Sequence, residues 1–230
     1  MKEQMGGSSL IRKMFEEGDR LRREKGPEAV FDFTLGNPDV EPPAEFTRAL
    51  LALAQDPPSG MHRYMSNAGY PETRAAVAAY LARESGLPVA AGHVVMTCGA
   101  GGALNVILKT LLDPGDEVIV VAPYFVEYGF YIDNHGGRTV AAQSDERFQL
   151  DPAAIAGAVT PRTKAIVINS PNNPTGAVYP ADALDELDQV LAAKEAEFGT
   201  EIYVLADEPY AKVVYDGTAV PPVFAHLRRS

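Results

Sequence analysis

Four stretches of this 230-residue chain place polar, aromatic or glycine residues directly after an apolar run, where open α/β sheets present their ligands. In ADEPY, Asp207 closes the run IYVLA and Tyr210 follows three residues on. A carboxylate so placed is costly unless paired, so a cationic partner is expected. In NSPNNPTG, Asn173 lies in Asn-Pro turn chemistry just beyond a buried run, and so long a defined string does more than turn the chain. In APYFVEY, Phe125 follows two turn-forming residues and can offer a flat face to a cleft; taken alone it reads as core. In TCGAGGALNVILK an apolar run gives way to small residues and then to a helix at about Gly101. Amides at a helix start, with glycines permitting close approach, cradle a phosphate; the plainer reading is a tight strand-to-helix turn. Gly99, Gly101 and Gly102 also look like a dinucleotide fingerprint, but its third glycine would fall on Leu104. The next apolar run begins, rather than ends, with Asp116 and Glu117, which further weakens that reading.

Bringing these residues together requires several strands that end at one edge. Beyond Gly86 the runs HVVMT, EVIVV, RTVAA, KAIVINS and EIYVLAD alternate with helical patterns. Buried valine and isoleucine runs in that rhythm predict a layered α/β domain with a largely parallel sheet covered on both faces. Upstream, Ser9 to Lys25 reads as an amphipathic helix with Leu10, Met14 and Leu21 on one face, ended by Gly26 and Pro27. A short strand is expected over Val30 to Phe33, then a turn-rich junction, LGNPDVEPP. Helices are predicted around Ala44 to Ala54 and from Pro71 to Ser85, with the irregular, aromatic HRYMSNAGY between them.

Composition narrows the function. A formal charge of -11 disfavours nucleic acid, whose affinity comes from lysine and arginine neutralising phosphates. Cys98 is the single cysteine, so no internal disulfide can form; it reads as a small buried residue in a soluble, cytoplasmic protein. The start of the chain lacks the apolar core of a secretory signal, and no apolar run is long enough for a membrane span. Four scattered histidines show no metal-ligand spacing, so no metal site is expected.

TCGAGGAL, APYF, NSPNNPTG and ADEPY, in this order, resemble the signature of class I/II pyridoxal-phosphate-dependent aminotransferases of fold type I. The likeness runs over nearly the whole chain, from LGNPD to beyond Tyr215. It implies an α-β-α layered large domain with a mostly parallel sheet over residues 46–230, incomplete at its C-terminal end. Residues 1–45 would form an N-terminal arm and the N-terminal part of a small domain. It also implies pyridoxal 5'-phosphate as cofactor and amino-group transfer between an amino acid and a 2-oxo acid, in a homodimer. By resemblance, Asp207 would pair with the pyridine nitrogen, and Asn173 and Tyr210 would hydrogen-bond the phenolic oxygen. Phe125 would stack on the ring, while Ala100 and Gly101 would offer amides to the phosphate. Tyr64 would reach the phosphate of the neighbouring subunit, and Gly36 would line the substrate carboxylate site.

In the family, the lysine that links covalently to the cofactor follows a serine beyond the ADEPY-type strand, and an arginine binds the substrate carboxylate. Here the sequence ends at HLRRS without that segment. Lys109, Lys164, Lys194 and Lys212 are not expected to replace the lysine, so no catalytic residue is assigned. The chain is expected to be the front portion of an enzyme, catalytically incomplete alone. Two alternatives stand beside this one: another fold-type I enzyme such as a lyase or decarboxylase, and a noncatalytic binding or scaffolding protein retaining the cofactor shell.

Overall fold

The computed structural model describes residues 5–31, 33 and 40–227 of the chain, with side-chain environments from Met14 onward. It divides into two compact units, residues 1–64 and 65–230. The second holds a four-stranded, wholly parallel sheet of β1 (Glu117–Ala122), β2 (Arg138–Gln143), β3 (Thr163–Asn169) and β4 (Tyr203–Asp207). Their spatial order is β2-β1-β3-β4.

Side chains alternate across a strand, so a run such as VIVV serves both faces at once. Ile119 and Val121 of β1, with Ile166 and Ile168 of β3, join one apolar cluster with α6 (Pro152–Ala158) and α7 (Ala181–Phe198). Val118 and Val120, with Ala165 and Val167, face the other way, against α4 (Gly99–Leu111) and α5 (Glu127–Asn134). The predicted α-β-α layering is therefore present. The runs are uninterrupted because neither face of the central strands meets water.

Helix ends follow local chemistry. Asp151 caps α6, its carboxylate accepting from the amides of Ala153 (2.9 Å) and Ala154 (3.0 Å), with proline in the first turn. In α3 (Pro71–Ser85) proline again opens the helix and Gly86, with φ 72°, ends it in the left-handed conformation that glycine adopts freely. The bottom of the sheet is closed by Glu117, which is buried at 3% exposure. It accepts from the Thr160 hydroxyl at 2.6 Å and pairs with Arg162 at 2.8 Å and Arg138 at 3.5 Å. Burial alone would raise this carboxyl; the Thr160 hydroxyl and the Arg162 guanidinium outweigh it and hold the group below its ordinary value.

In the first unit, α1 (Met5–Lys25) starts earlier than the sequence suggests, and Arg20 bridges Glu17 and Glu24 along its exposed side. A second helix, α2 (Ala44–Gln55), buries no residue.

Three sequence expectations fail. Val30, Phe31 and Phe33 form no ladder, Asp32 lying outside the described residues. HVVMT is not a strand: His93 ends a short 3-10 turn, and Val94 to Thr97 run on without a ladder partner among the described residues. An apolar β-branched run fits an extended conformation, but a strand exists only with a neighbour, and here Val95 and Met96 stay exposed. Cys98, expected to be buried, is exposed, because the segment that would have carried it into the sheet is not part of it.

Candidate cofactor site

Three parallel strands end at one edge, and their termini carry the polar residues. β1 leads to Phe125, β3 ends at Asn169 and continues to Asn173, and β4 ends at Asp207. The chain passes outward from β1 to β2 and then back across β1 to β3, so a crevice opens between the ends of β1 and β3, where the winding reverses. There lies an open pocket of about 380 Å³ lined by Ala100, Gly101, Phe125, Asn173, Asp207 and Tyr210, among others.

The NSPNNPTG segment holds its shape by bonding to itself. Asn172 Oδ1 accepts from the Thr175 hydroxyl at 2.9 Å, and its amide donates to the Ala177 carbonyl at 2.8 Å. Asn169 locks this loop to β4. Its Nδ2 donates to the Asp207 carbonyl at 2.8 Å while its Oδ1 accepts from the Asn173 amide at 2.6 Å. Asn173 in turn donates from Nδ2 to the Tyr210 hydroxyl at 3.2 Å, so the two residues expected to share one ligand oxygen already meet.

At the other wall, no side chain caps α4, leaving the amides at its start, around Ala100 and Gly101, without a capping partner. Gly99 enters the helix at φ 70°, where glycine is unstrained. A Cβ at position 101 would lie 3.0 Å from the Tyr131 hydroxyl, so glycine keeps the cradle open. Asn105 braces the same turn by donating to the Gly101 carbonyl at 2.8 Å, and it contacts His135 at 3.1 Å.

Among the described residues Asp207 finds a phenol, not a cation, as its partner: the Tyr128 hydroxyl donates to Oδ2 at 2.6 Å. Tyr128 is buried on α5, packed edge-on to Phe125 with ring centroids 5.6 Å apart. Burial first, and then the Asp207 carboxylate, push its phenol far above the ordinary tyrosine range. Sequence reasoning missed Tyr128 and Asn169. Tyr128 lies three residues after Phe125, its amide donating to the Phe125 carbonyl at 3.1 Å across the turn into α5, and that short spacing was the available signal. Asn169 was counted as the tail of a strand.

Tyr64 is fully exposed at the end of the first unit, and Gly36 lies outside the described residues. No lysine lines the pocket as described. Lys194 pairs with Glu197 at 2.8 Å, Lys164 lies 5.4 Å from the centre of the Tyr203 ring, and Lys212 is tied to Glu84 and sits over Tyr80.

The family profile described as aminotransferase class I and II matches residues 28–229. The chain belongs to that family. It is 41% identical over 203 residues to the aspartate/prephenate aminotransferase of Thermus thermophilus, covering 87% of this chain and 50% of that protein. An aspartate aminotransferase of Geobacillus stearothermophilus is 34% identical over 190 residues, covering 82% and 46%. Among solved structures, an aminotransferase from Eubacterium rectale superposes with a TM-score of 0.90 at 38% identity, covering 94% of this chain and 55% of that one. The Thermus thermophilus aspartate aminotransferase with maleate gives 0.79 at 36% identity, covering 94% and 54%. The chain thus spans about half the length of the relatives it matches. Class I/II aminotransferases use pyridoxal 5'-phosphate. The uncapped α4 amides, the open cradle at Gly101 and a carboxylate facing the same pocket fit that group.

Proposed function

We propose that this chain carries the cofactor-binding half of a pyridoxal-phosphate-dependent aminotransferase whose whole protein moves an amino group between an amino acid and a 2-oxo acid. The observation that carries the reading is the meeting of Phe125, Asn173, Asp207 and Tyr210 with the start of α4 around one pocket. When bound, the cofactor supplies an electron sink for the pair released at the amino acid α-carbon. Asp207 would accept from the ring nitrogen and keep it protonated, giving the carboxylate the charge partner it lacks among the described residues. Asn173 and Tyr210 would donate to the phenolic oxygen, and Phe125 would cover a ring face. The amides of Ala100 and Gly101 would hold the phosphate, aided by the positive end of the α4 dipole.

The names of the relatives favour an acidic amino acid such as aspartate, and prephenate as a 2-oxo acid partner. They favour amino transfer over lyase or decarboxylase chemistry. We further assign a homodimer in which Tyr64 reaches the neighbouring phosphate and Gly36 lines the substrate carboxylate. A cytoplasmic location is supported by the single free thiol. Among the described residues no helix is long and apolar enough to cross a membrane. The test is a coupled assay of the full-length protein with aspartate and 2-oxo acids, prephenate included. Absence of transfer from any amino acid, with cofactor bound, would refute the proposal.

A further inference from the structure

Asp207 ends β4 in the cofactor pocket, half-buried, with no cationic side chain paired to it among the described residues. A carboxylate in that position has two unsatisfied needs: hydrogen bonds for its oxygens and a fixed rotation about its terminal torsion, which is broad for aspartate. The Tyr128 hydroxyl meets both through Oδ2 at 2.6 Å, and no donor among the described residues reaches Oδ1. The phenol cannot wander. Its ring is 3% exposed and packed edge-on against Phe125 within the cluster that joins α4, α5 and the sheet. It does not lose its proton at any ordinary pH, so it remains a donor.

We propose that Tyr128 is a positioning residue for Asp207: it holds one carboxylate oxygen so that the other is free and oriented for a protonated ring nitrogen. The inference rests on the cofactor reading above and adds a residue at the pocket wall that acts through Asp207. It also links two faces of the site, since one side chain supports both Phe125 and Asp207.

The test uses the chain with pyridoxine 5'-phosphate, which has the ring and phosphate but no aldehyde to react with surface lysines. Dissociation constants are measured for the wild type, Tyr128→Phe, Asp207→Asn and the double variant. Tyr128→Phe keeps the packing and is expected to weaken binding about tenfold when Asp207 is intact, the scale of one charge-assisted hydrogen bond, and hardly at all in the Asp207→Asn background. The bound ring is expected to absorb as its N-protonated form in the wild type and to shift toward the neutral form in Tyr128→Phe. A slowly exchanging hydroxyl proton, seen by NMR without ligand, should disappear in both single variants. Equal weakening in the two backgrounds, or no hydroxyl proton in the wild type, overturns the positioning role and leaves the cofactor reading standing. If the wild type shows the hydroxyl proton but binds no pyridoxine 5'-phosphate, the cofactor reading fails for this chain and the inference falls with it.

Discussion

Replacing Asn169 by alanine removes a side chain at the pocket wall whose two hydrogen bonds both go to backbone groups, and it should disable the site. The amide group joins two strand ends, donating to the Asp207 carbonyl at 2.8 Å and accepting from the Asn173 amide at 2.6 Å, at 4% exposure. Alanine leaves both backbone groups without partners. An orphaned buried group costs about 1–3 kcal/mol, and because Asn173 is only partly buried the pair should total about 2–4 kcal/mol. Urea denaturation followed by circular dichroism reads that loss as a lower midpoint at unchanged slope. Fluorescence titration with pyridoxine 5'-phosphate should show binding at least tenfold weaker, because the loop bearing Asn173 no longer has a fixed register against β4. A stability change below about 0.5 kcal/mol, the scale of an ordinary surface substitution, would refute the claim that Asn169 fastens the loop.

Other outcomes can be checked more briefly. The Glu117 carboxyl sits below its ordinary value in the folded protein, so its stabilising contribution is complete above the unfolded value, about 4.3, and is lost as pH falls through the folded one. The stability gap between wild type and Glu117→Gln should therefore narrow on acidification in urea melts; a gap constant from pH 7 to pH 3 would contradict this. Tyr210→Phe removes a hydroxyl that is exposed enough for water to replace, so folding stability should hold within about 0.5 kcal/mol while ligand affinity falls. Loss of stability without loss of affinity would reverse that assignment. Borohydride treatment of this chain with pyridoxal 5'-phosphate should give no dominant single-lysine adduct by peptide mass mapping, since no lysine lines the pocket as described.

Much of the sheet could be read from the chain because its strands are buried on both faces, so EVIVV and KAIVIN needed only their apolar continuity to be recognised. Asn173, Asp207, Tyr210, Phe125, Ala100 and Gly101 could be placed together because motif order and the strand-end rule agree. What stayed hidden is what depends on pairing. Tyr128 and Asp207 are 79 positions apart, and nothing local to either names the other. HVVMT has the composition of a strand, but ladder formation is decided by a neighbour and not by the run itself. Cys98 was misjudged because its burial was read from residue type alone, whereas the run before it does not enter the sheet and the thiol is exposed.

The strand-end geometry has a consequence for how the protein can be handled. Phe125, Asn173 and Asp207 follow three different strands, and Ala100 and Gly101 belong to a helix on one face, so the pocket exists only when the whole layered unit is assembled. A ligand that recognises all of them binds the folded form and nothing less, adding about 2.7 kcal/mol at a hundredfold excess over its dissociation constant. Thermal shift with pyridoxine 5'-phosphate thus reports whether the sheet is complete, and a fragment ending before β4 should show no shift at any concentration.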